Sequence, residues 1–322
     1  MNMKLNEESV IALQSPFHFD ASVFDIYSCI AVGAKIVIMP DILATFPAKI
    51  PEFIEENKIT CIFWVPGLLV EIANSGMLEK YKMDSLKMFT FVGEMMPAKQ
   101  LNMWIRANPN REYINLYGPT EATVACSAYR IKEKFDDTYN IPIGKASLNK
   151  RLLIFNQDGK PAEKNEIGEI CISGSGLALG YYGEEELTAK AFIQNPLNKN
   201  YEEILYRTGD YGYINENGDI VFSGRKDSQV KIHGIRVELG DIENAANNIE
   251  GVERVCAVLN PEKELLLFLQ TKLRRQQRQL KQMLKQIIPK YMIPDKIYEI
   301  DSFPVNKNGK IDRKELLKIV DQ

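Results

Sequence analysis

Histidine is almost missing from this 322-residue chain. His18 and His233 alone are too few for a histidine-rich metal centre. The five cysteines, Cys29, Cys61, Cys126, Cys171 and Cys256, are scattered, odd in number and without a CxxC pair. That excludes a disulfide framework or zinc knuckle and reads as reduced core residues. Neither sign of charge dominates, since 40 basic and 43 acidic residues leave −3. A generally basic nucleic-acid surface is therefore excluded. Long apolar runs are absent too, and Leu265–Leu269 is far too short to span a bilayer. The opening MNMKLNEESV holds no apolar stretch before a small-residue cleavage site, so the expectation is no secretory signal and a cytoplasmic location. No internal repeat or low-complexity segment is present.

What is present is ordinary globular material, 45% apolar and 26% charged, in a length that suggests two domains. Residues 1–120 alternate strand-like and helix-like stretches. Ala34–Met39, Ile59–Val65, Met88–Val92 and Tyr113–Tyr117 read as strands, and Ala48–Asn57, Leu68–Asn74 and Ala98–Ala107 as helices. Such alternation predicts a parallel α/β sheet. After about residue 140 come short strands, Leu152–Phe155, Glu169–Ser173, Tyr211–Ile214 and Asp219–Phe222, with turns at Asp158-Gly159 and Asn215–Gly218, which predict antiparallel pairing. Beyond residue 225 the pattern is that of a small α+β domain. Its predicted strands are Val230–Ile232, Arg236–Glu238, Arg254–Val258 and Glu264–Leu269, with helices at Leu239–Ile249, Arg275–Ile288 and Lys314–Val320. The basic stretch Lys272–Lys281 reads chiefly as a solvated helix face, the alternative being a carrier-protein or nucleic-acid patch.

Chemistry concentrates in YGPTEAT, Tyr117–Thr123, directly after a predicted strand. Open α/β sheets place ligands at such carboxyl edges. There an aromatic can stack on a base, Thr120 can bond phosphate and Glu121 can hold Mg²⁺, although Thr and Glu also cap helices. In YRTGDYG, Tyr206–Gly212, Asp210 is suited to accept hydrogen bonds from two vicinal ribose hydroxyls, or is part of an ordinary turn. NGKIDRKEL, Asn308–Leu316, places Lys310 on a turn where it could deliver one positive charge to phosphate and carboxylate. The glycine-rich GSGLALGYY, Gly174–Tyr182, has G-x-G-x-x-x-G spacing and no helical pattern opening at it, so it reads as a turn and not as a dinucleotide fingerprint.

Taken together and in this order, FHFDASVFDIY (Phe17–Tyr27), NLYGPTEAT, GEICISGSGLALGYY, YRTGD, GRKDSQVKIHGIRVELGDIE (Gly224–Glu243), IPKYMIP (Ile288–Pro294) and NGKIDRKEL resemble the adenylate-forming enzymes. The chain is similar to their amino-acid-activating branch, the peptide-synthetase adenylation domains and D-alanine–carrier-protein ligases. The latter are similar also in FVGEMMP (Phe91–Pro97) and KIHGIR. The resemblance implies the carboxyl-terminal part of a large domain, with a parallel sheet and a distorted antiparallel barrel, in residues 1–226. A small mobile α+β domain in 227–322 would follow a hinge at Asp227. It implies ATP and Mg²⁺, a phosphopantetheine thiol borne by a carrier protein, and activation of an amino acid as aminoacyl-AMP.

Residue by residue, the resemblance assigns Asp20 to the substrate ammonium and a mostly apolar pocket to Ala21, Phe24, Phe63, Thr90, Val92, Leu116, Val124 and Ala125. It puts Tyr117 and Gly118 against adenine, with Gly93, Glu94 and Asn115 at the edge, and Thr120 on phosphate. Glu121 would bind Mg²⁺, Asp210 the ribose hydroxyls with Arg225 nearby, and Lys310 would bridge the attacking carboxylate and the α-phosphate. Gly234 would border the tunnel for the thiol. Such a pocket favours a small or branched aliphatic amino acid of either chirality. Two departures stand out: Leu179 where relatives often carry Arg, and Val92 where D-alanine ligases tend to carry Cys. Only sixteen residues precede Phe17, so no Ser/Thr/Gly-rich loop for the β- and γ-phosphates is in place. The expectation is a chain lacking roughly the N-terminal third, completed by an N-terminal partner chain or domain. The alternatives are a nucleotide- or carrier-binding remnant without turnover, and an acyl-CoA or aryl-acid ligase, which Asp20 disfavours because a fatty chain would leave it unpaired.

Overall fold

Short β-branched and aromatic runs, each followed by a helix with one apolar face, fold here as sequence alternation predicts. A computed structural model describes residues 3–17, 19–132, 134–225, 229–232, 235–260, 264–306 and 309–320. The chain divides into two units, Met1–Phe222 and Ser223–Gln322.

The first unit is built on a sheet of β1 (Val10–Leu13), β2 (Lys35–Ile38), β3 (Cys61–Trp64), β4 (Met88–Val92), β5 (Glu112–Tyr117), β6 (Ser127–Ile131) and β7 (Lys145–Ala146). Their order is β2-β1-β3-β4-β5-β6-β7, parallel as far as β5 and antiparallel from there on. The helices of this part are α1 (Ala21–Val32), α2 (Asp41–Thr45), α3 (Ile50–Glu56), α4 (Pro66–Asn74) and α5 (Ala98–Ala107). Because strand side chains alternate, Ile62, Trp64, Phe89, Phe91 and Tyr113 face one side and pack with Ile54, Leu69, Ile72, Leu101 and Trp104 of α3, α4 and α5. On the other face Ile11, Cys61, Phe63, Met88, Val92, Ile114 and Leu116 pack with Cys29 and Phe24 of α1. The sequence reading assigned no element to β1 or α1, and the helix turns out to carry one wall of the site.

The second sheet has the order β10-β11-β9-β8, from β8 (Lys150–Phe155), β9 (Gly168–Gly174), β10 (Phe192–Gln194) and β11 (Ile204–Ile214), with β12 (Ile220–Arg225) also on β11. The pairs β8–β9, β9–β11 and β10–β11 are antiparallel. Gly174–Tyr182 leads out of β9 as a loop, and no helix begins before α6 (Glu185–Ala191). The expected class, α/β with a parallel sheet and a distorted antiparallel barrel, is observed, the barrel as a half-barrel sheet.

In the second unit β13 (Gln229–Ile232) and β14 (Ile235–Glu238) form an antiparallel ribbon leading into α7 (Leu239–Asn247). β15 (Val252–Leu259) pairs antiparallel with β16 (Leu265–Thr271), and β17 (Lys296–Glu299) lies parallel to β16. Leu265, Leu267 and Leu269 face Ile242 of α7 and Leu280 and Leu284 of α8 (Gln277–Leu284), whereas Leu266 and Phe268 face Leu316 of α9 (Arg313–Val320). The helix expected over Arg275–Ile288 is thus shorter. Gln276 and Gln279 form a reciprocal capping box at its start. Past Leu284, Ile287 is exposed while Ile288 still packs on the core, and Pro289 disfavours helical geometry just before it.

One buried group carries a consequence for stability. Asp25 of α1 is fully buried, and its carboxylate oxygens have no hydrogen-bond partner among the described residues. Burial pushes its carboxyl from 3.8 up to about 8. The unfolded chain ionises near pH 4 while the folded one keeps the proton until about pH 8. This group's stabilisation is therefore complete below pH 4 and is lost as pH rises to 8, by at most about 1.4 kcal/mol per unit. Asp25→Asn is expected to flatten that decline, read as urea-unfolding free energies at pH 5 and pH 8. An equal decline in the variant would contradict it.

Candidate active site

The loop after β5 is where the local sequence and the tertiary contacts meet. Pro119 enters a single 3-10 turn, Thr120–Ala122, and Thr123 and Val124 then take left-handed backbone angles, φ 55° and 63°. The chain doubles back, so that the Cys126 N–H donates to the Tyr117 carbonyl at 2.7 Å. A Cβ on Gly118 would lie 2.6 Å from the Ala125 Cα, so only glycine permits this return.

Tyr117 and Asp210, 93 residues apart, are joined directly: the phenol donates to Asp210 Oδ2 at 2.6 Å. Burial, then the Asp210 charge, hold the phenol well above its ordinary pKa, so it stays a donor. Asp210 is presented by an irregularity in β11, where register shifts between Arg207 and Tyr211 and Gly209 has φ 68°. Such a bulge re-aims a side chain. Glu169 secures it by accepting from Arg207 Nε at 3.0 Å and from the Gly209 N–H at 3.2 Å, and the Asp210 N–H donates to Thr208 Oγ1 at 2.9 Å. Tyr117→Phe is expected to lower unfolding stability by about 1–3 kcal/mol, the scale of a lost hydrogen bond to a charged acceptor. Unchanged urea unfolding would show that the bond contributes nothing.

The expected pocket residues come together on the α1 side of the sheet. Phe63, Val92 and Leu116 are buried in one cluster with Ala21, Phe24, Val124 and Ala125 packed against it. The Phe24 and Phe63 rings are 4.4 Å apart. Thr90 is fully buried, and its hydroxyl has no hydrogen-bond partner among the described residues. Asp20, half-buried just before α1, accepts from the Val124 N–H at 3.2 Å through Oδ2. The carboxylate thus stands against the loop that bears two of the pocket residues.

Glu121 is half-buried and Thr120 exposed on the same turn. The Tyr181 hydroxyl donates to Glu121 Oε1 at 2.6 Å and lies 3.4 Å from the Tyr206 hydroxyl. A single held carboxylate fits Mg²⁺, which takes one or two carboxylates together with substrate phosphate oxygens. Asn115 is buried and its amide donates to the Pro142 carbonyl at 2.8 Å, while Gly93, with φ 97°, and half-buried Glu94 follow β4. Arg225 ends β12 and is exposed. Lys310, also exposed, closes a turn in which its N–H donates to Asn306 Oδ1 at 3.1 Å. Asp227 and Gly234 lie outside the described residues. Sequence reasoning missed Tyr181, Glu169 and Lys150; the first two stand in GEICISGSGLALGYY, a motif with no site role in that reading, and Lys150 belongs to no motif. An open cleft of ≈ 920 Å³ bordered by Lys150, Ser173, Leu177, Phe192 and Tyr201 holds none of the expected residues.

Residues 1–182 match the AMP-binding enzyme family, and residues 241–310 match the AMP-binding enzyme C-terminal domain. This chain belongs to the AMP-binding enzyme family. The new member is 33% identical to zwittermicin A synthase ZmaJ of Bacillus cereus over 97% of this chain and 60% of that protein. It is 34% identical to the D-alanine–D-alanyl carrier protein ligase of Bacillus cereus (strain G9842) over 99% of this chain and 64% of that one. Its fold matches a four-domain nonribosomal peptide synthetase bound to AMP and glycine with TM-score 0.85 at 27% identity, covering 97% of this chain and 23% of the other. The chain therefore spans 60% and 64% of the length of the two curated relatives. Among the described residues no helix is long and apolar enough to cross a membrane.

Proposed function

We propose that this AMP-binding family member serves the ATP-dependent activation of a small or aliphatic amino acid as aminoacyl-AMP and its transfer to a carrier protein's phosphopantetheine thiol. The observation that carries the reading is Asp20, a carboxylate at an apolar cluster and bonded to the loop whose other end leads to the Tyr117–Asp210 pair. An ammonium group would be held by Asp20 while an aliphatic side chain enters among Phe24, Phe63, Val92 and Leu116. An acyl or aryl acid would bring no countercharge to that carboxylate, which disfavours the ligases acting on such acids. Asn115, Gly93 and Glu94 would border adenine against Tyr117, and Asp210 would take the ribose hydroxyls.

In the first half-reaction an oxygen of the substrate carboxylate attacks the α-phosphorus of ATP and pyrophosphate leaves. Two anions meet, so the need is for placed positive charge more than for a base. Lys310 would supply it between carboxylate and α-phosphate, Thr120 would hold phosphate, and Arg225 would stand by the nucleotide. Bound Mg²⁺ at Glu121 would neutralise phosphate charge. In the second half-reaction the thiol sulfur attacks the acyl carbon and AMP leaves. We assign 1–226 to the large domain and 227–322 to the small one, hinged at Asp227, with Gly234 beside the thiol's path.

AMP binding is the direct test, because it draws on Tyr117 and Asp210. Calorimetric titration is expected to show weak AMP binding, lost in Asp210→Ala, with little added affinity from ATP·Mg²⁺ because no glycine-rich phosphate loop is present in the sequence. Absence of AMP binding by the unmodified chain would overturn the reading.

A further inference from the structure

Lys150 is the first residue of β8, paired with Gly174, and it belongs to no motif. Its ammonium donates to three backbone carbonyls of the loop after β5: Ala122 at 2.5 Å, Thr123 at 3.1 Å and Ala125 at 2.9 Å. Lysine has three N–H donors and here places all of them on one loop. That loop needs an anchor, because Thr123 and Val124 are consecutive non-glycine residues with positive φ, and for branched side chains this conformation is unfavourable. Left-handed angles at 123 and 124 turn the carbonyls on either side toward β8, where water or a cation must satisfy them. A second tie runs the same way: Thr123 Oγ1 donates to the Gly176 carbonyl at 2.7 Å. The neighbouring Arg151 is engaged elsewhere, with Glu203, and does not compete for the loop.

Gly176 gives independent support. A Cβ there would lie 2.7 Å from Lys150 Cε and 2.9 Å from its Nζ, and 3.3 Å from the Ala122 carbonyl oxygen. The lysine stem therefore reaches the loop through space that a side chain at 176 would fill. On the opposite side of the same loop stand Val124 and Ala125, in the apolar cluster, and the Val124 N–H that donates to Asp20. Lysine on one side and pocket on the other share a single strained segment.

We propose that Lys150 is a positioning residue that clamps residues 122–125 by their carbonyls and thereby sets the amino-acid pocket wall and the orientation of Asp20. This inference rests on the proposed function for what the wall recognises, but the clamp itself is a property of the loop. It predicts that the amino-acid end of the site depends on Lys150 and that the adenosine end, held by Asp210 and the β11 bulge, does not.

Two variants test it in the full 322-residue chain. Lys150→Met keeps the stem and removes the donors, and Gly176→Ala keeps the lysine but displaces its ammonium. Hydrogen–deuterium exchange of the 120–126 segment is expected to quicken about tenfold or more in both, the scale of losing a hydrogen bond to a charged donor. The β4 and β5 amides should keep their wild-type rates. No acceleration, or an equal acceleration throughout the unit, would overturn the clamp. The second readout is titration with AMP and with the 5′-sulfamoyladenosine analogue of alanyl-AMP. The expected result is about tenfold weaker analogue binding with AMP affinity held within about twofold. Equal losses for both ligands would reduce Lys150 to a structural role and overturn the proposal. If the wild-type chain bound neither ligand, the proposed function would fall, and the exchange pattern alone would decide the clamp.

Discussion

Lys310→Ala is expected to slow aminoacyl-AMP formation by at least about 10²–10³-fold, the cost of removing one preorganised charge from a transition state in which a carboxylate meets a phosphate. The motivating observation is its place: exposed, on a turn closed by Asn306, with Gly309 at φ 74° in the same turn. The cation is therefore carried at the surface of its own unit. The measurement is amino-acid-dependent exchange of pyrophosphate into ATP, with this chain joined behind the phosphate-loop segment of an amino-acid-activating relative. Thioester formation from preformed aminoacyl-AMP should continue in the same variant, because that step needs no charge on the α-phosphate's entering oxygen. A variant that kept its exchange rate, or lost both half-reactions alike, would refute the assigned role.

Asp20→Ala is expected to weaken binding of the alanyl-sulfamoyladenosine analogue by about 10²-fold while leaving AMP binding unchanged. Truncating one member of a hydrogen-bonded charge pair costs about 2–5 kcal/mol, and Asp20, half-buried, belongs at the lower end. The Val124 N–H loses its acceptor at the same time, which adds to the loss only if the loop cannot reach water. Asp20→Asn separates the two effects, since it retains an acceptor for Val124 but not the charge. If the ammonium is the partner, both variants fail alike on the analogue. Full affinity in Asp20→Asn would mean that Asp20 serves the loop alone.

Much of the first unit could be read from periodicity because its signals are local. β4, for instance, is entirely buried as Met88–Val92, and the amphipathic α5 spans Ala98–Ala107 as spacing predicts. Elements without a local signal were missed. β1 has only four residues, too few for its periodicity to stand out, yet it lies between β2 and β3. α1 was visible as a motif but not as a helix whose Cys29 and Phe24 seal one face of the sheet. In the second unit, α8 ends at Leu284, short of its sequence pattern, because Pro289 disfavours helical geometry in the residue before it and the chain turns there.

By itself the sequence determined the class of fold, the strand–loop junction at Tyr117–Thr123, and the resemblance that the family match confirms. These depend on residue type, spacing and order, which are properties of a chain before it folds. Tertiary structure decided the contacts: that Tyr117 meets Asp210, that Tyr181 holds Glu121, and that Lys150 reaches three carbonyls some 25 residues earlier in the chain. The placing of Tyr117, Asp210 and Lys150 depends on strand register, and a shift of one residue would turn each of them to the opposite face. Tyr181 and Glu121 meet because two loops are brought together. The β11 bulge that aims Asp210 and the left-handed pair at Thr123 and Val124 are likewise held by distant partners, Glu169 in one case and Lys150 in the other. Gly209 favours the bulge locally, whereas nothing in the residue types of Thr123 and Val124 favours theirs. Both conformations exist because side chains far apart in sequence satisfy backbone groups that the loop cannot satisfy for itself.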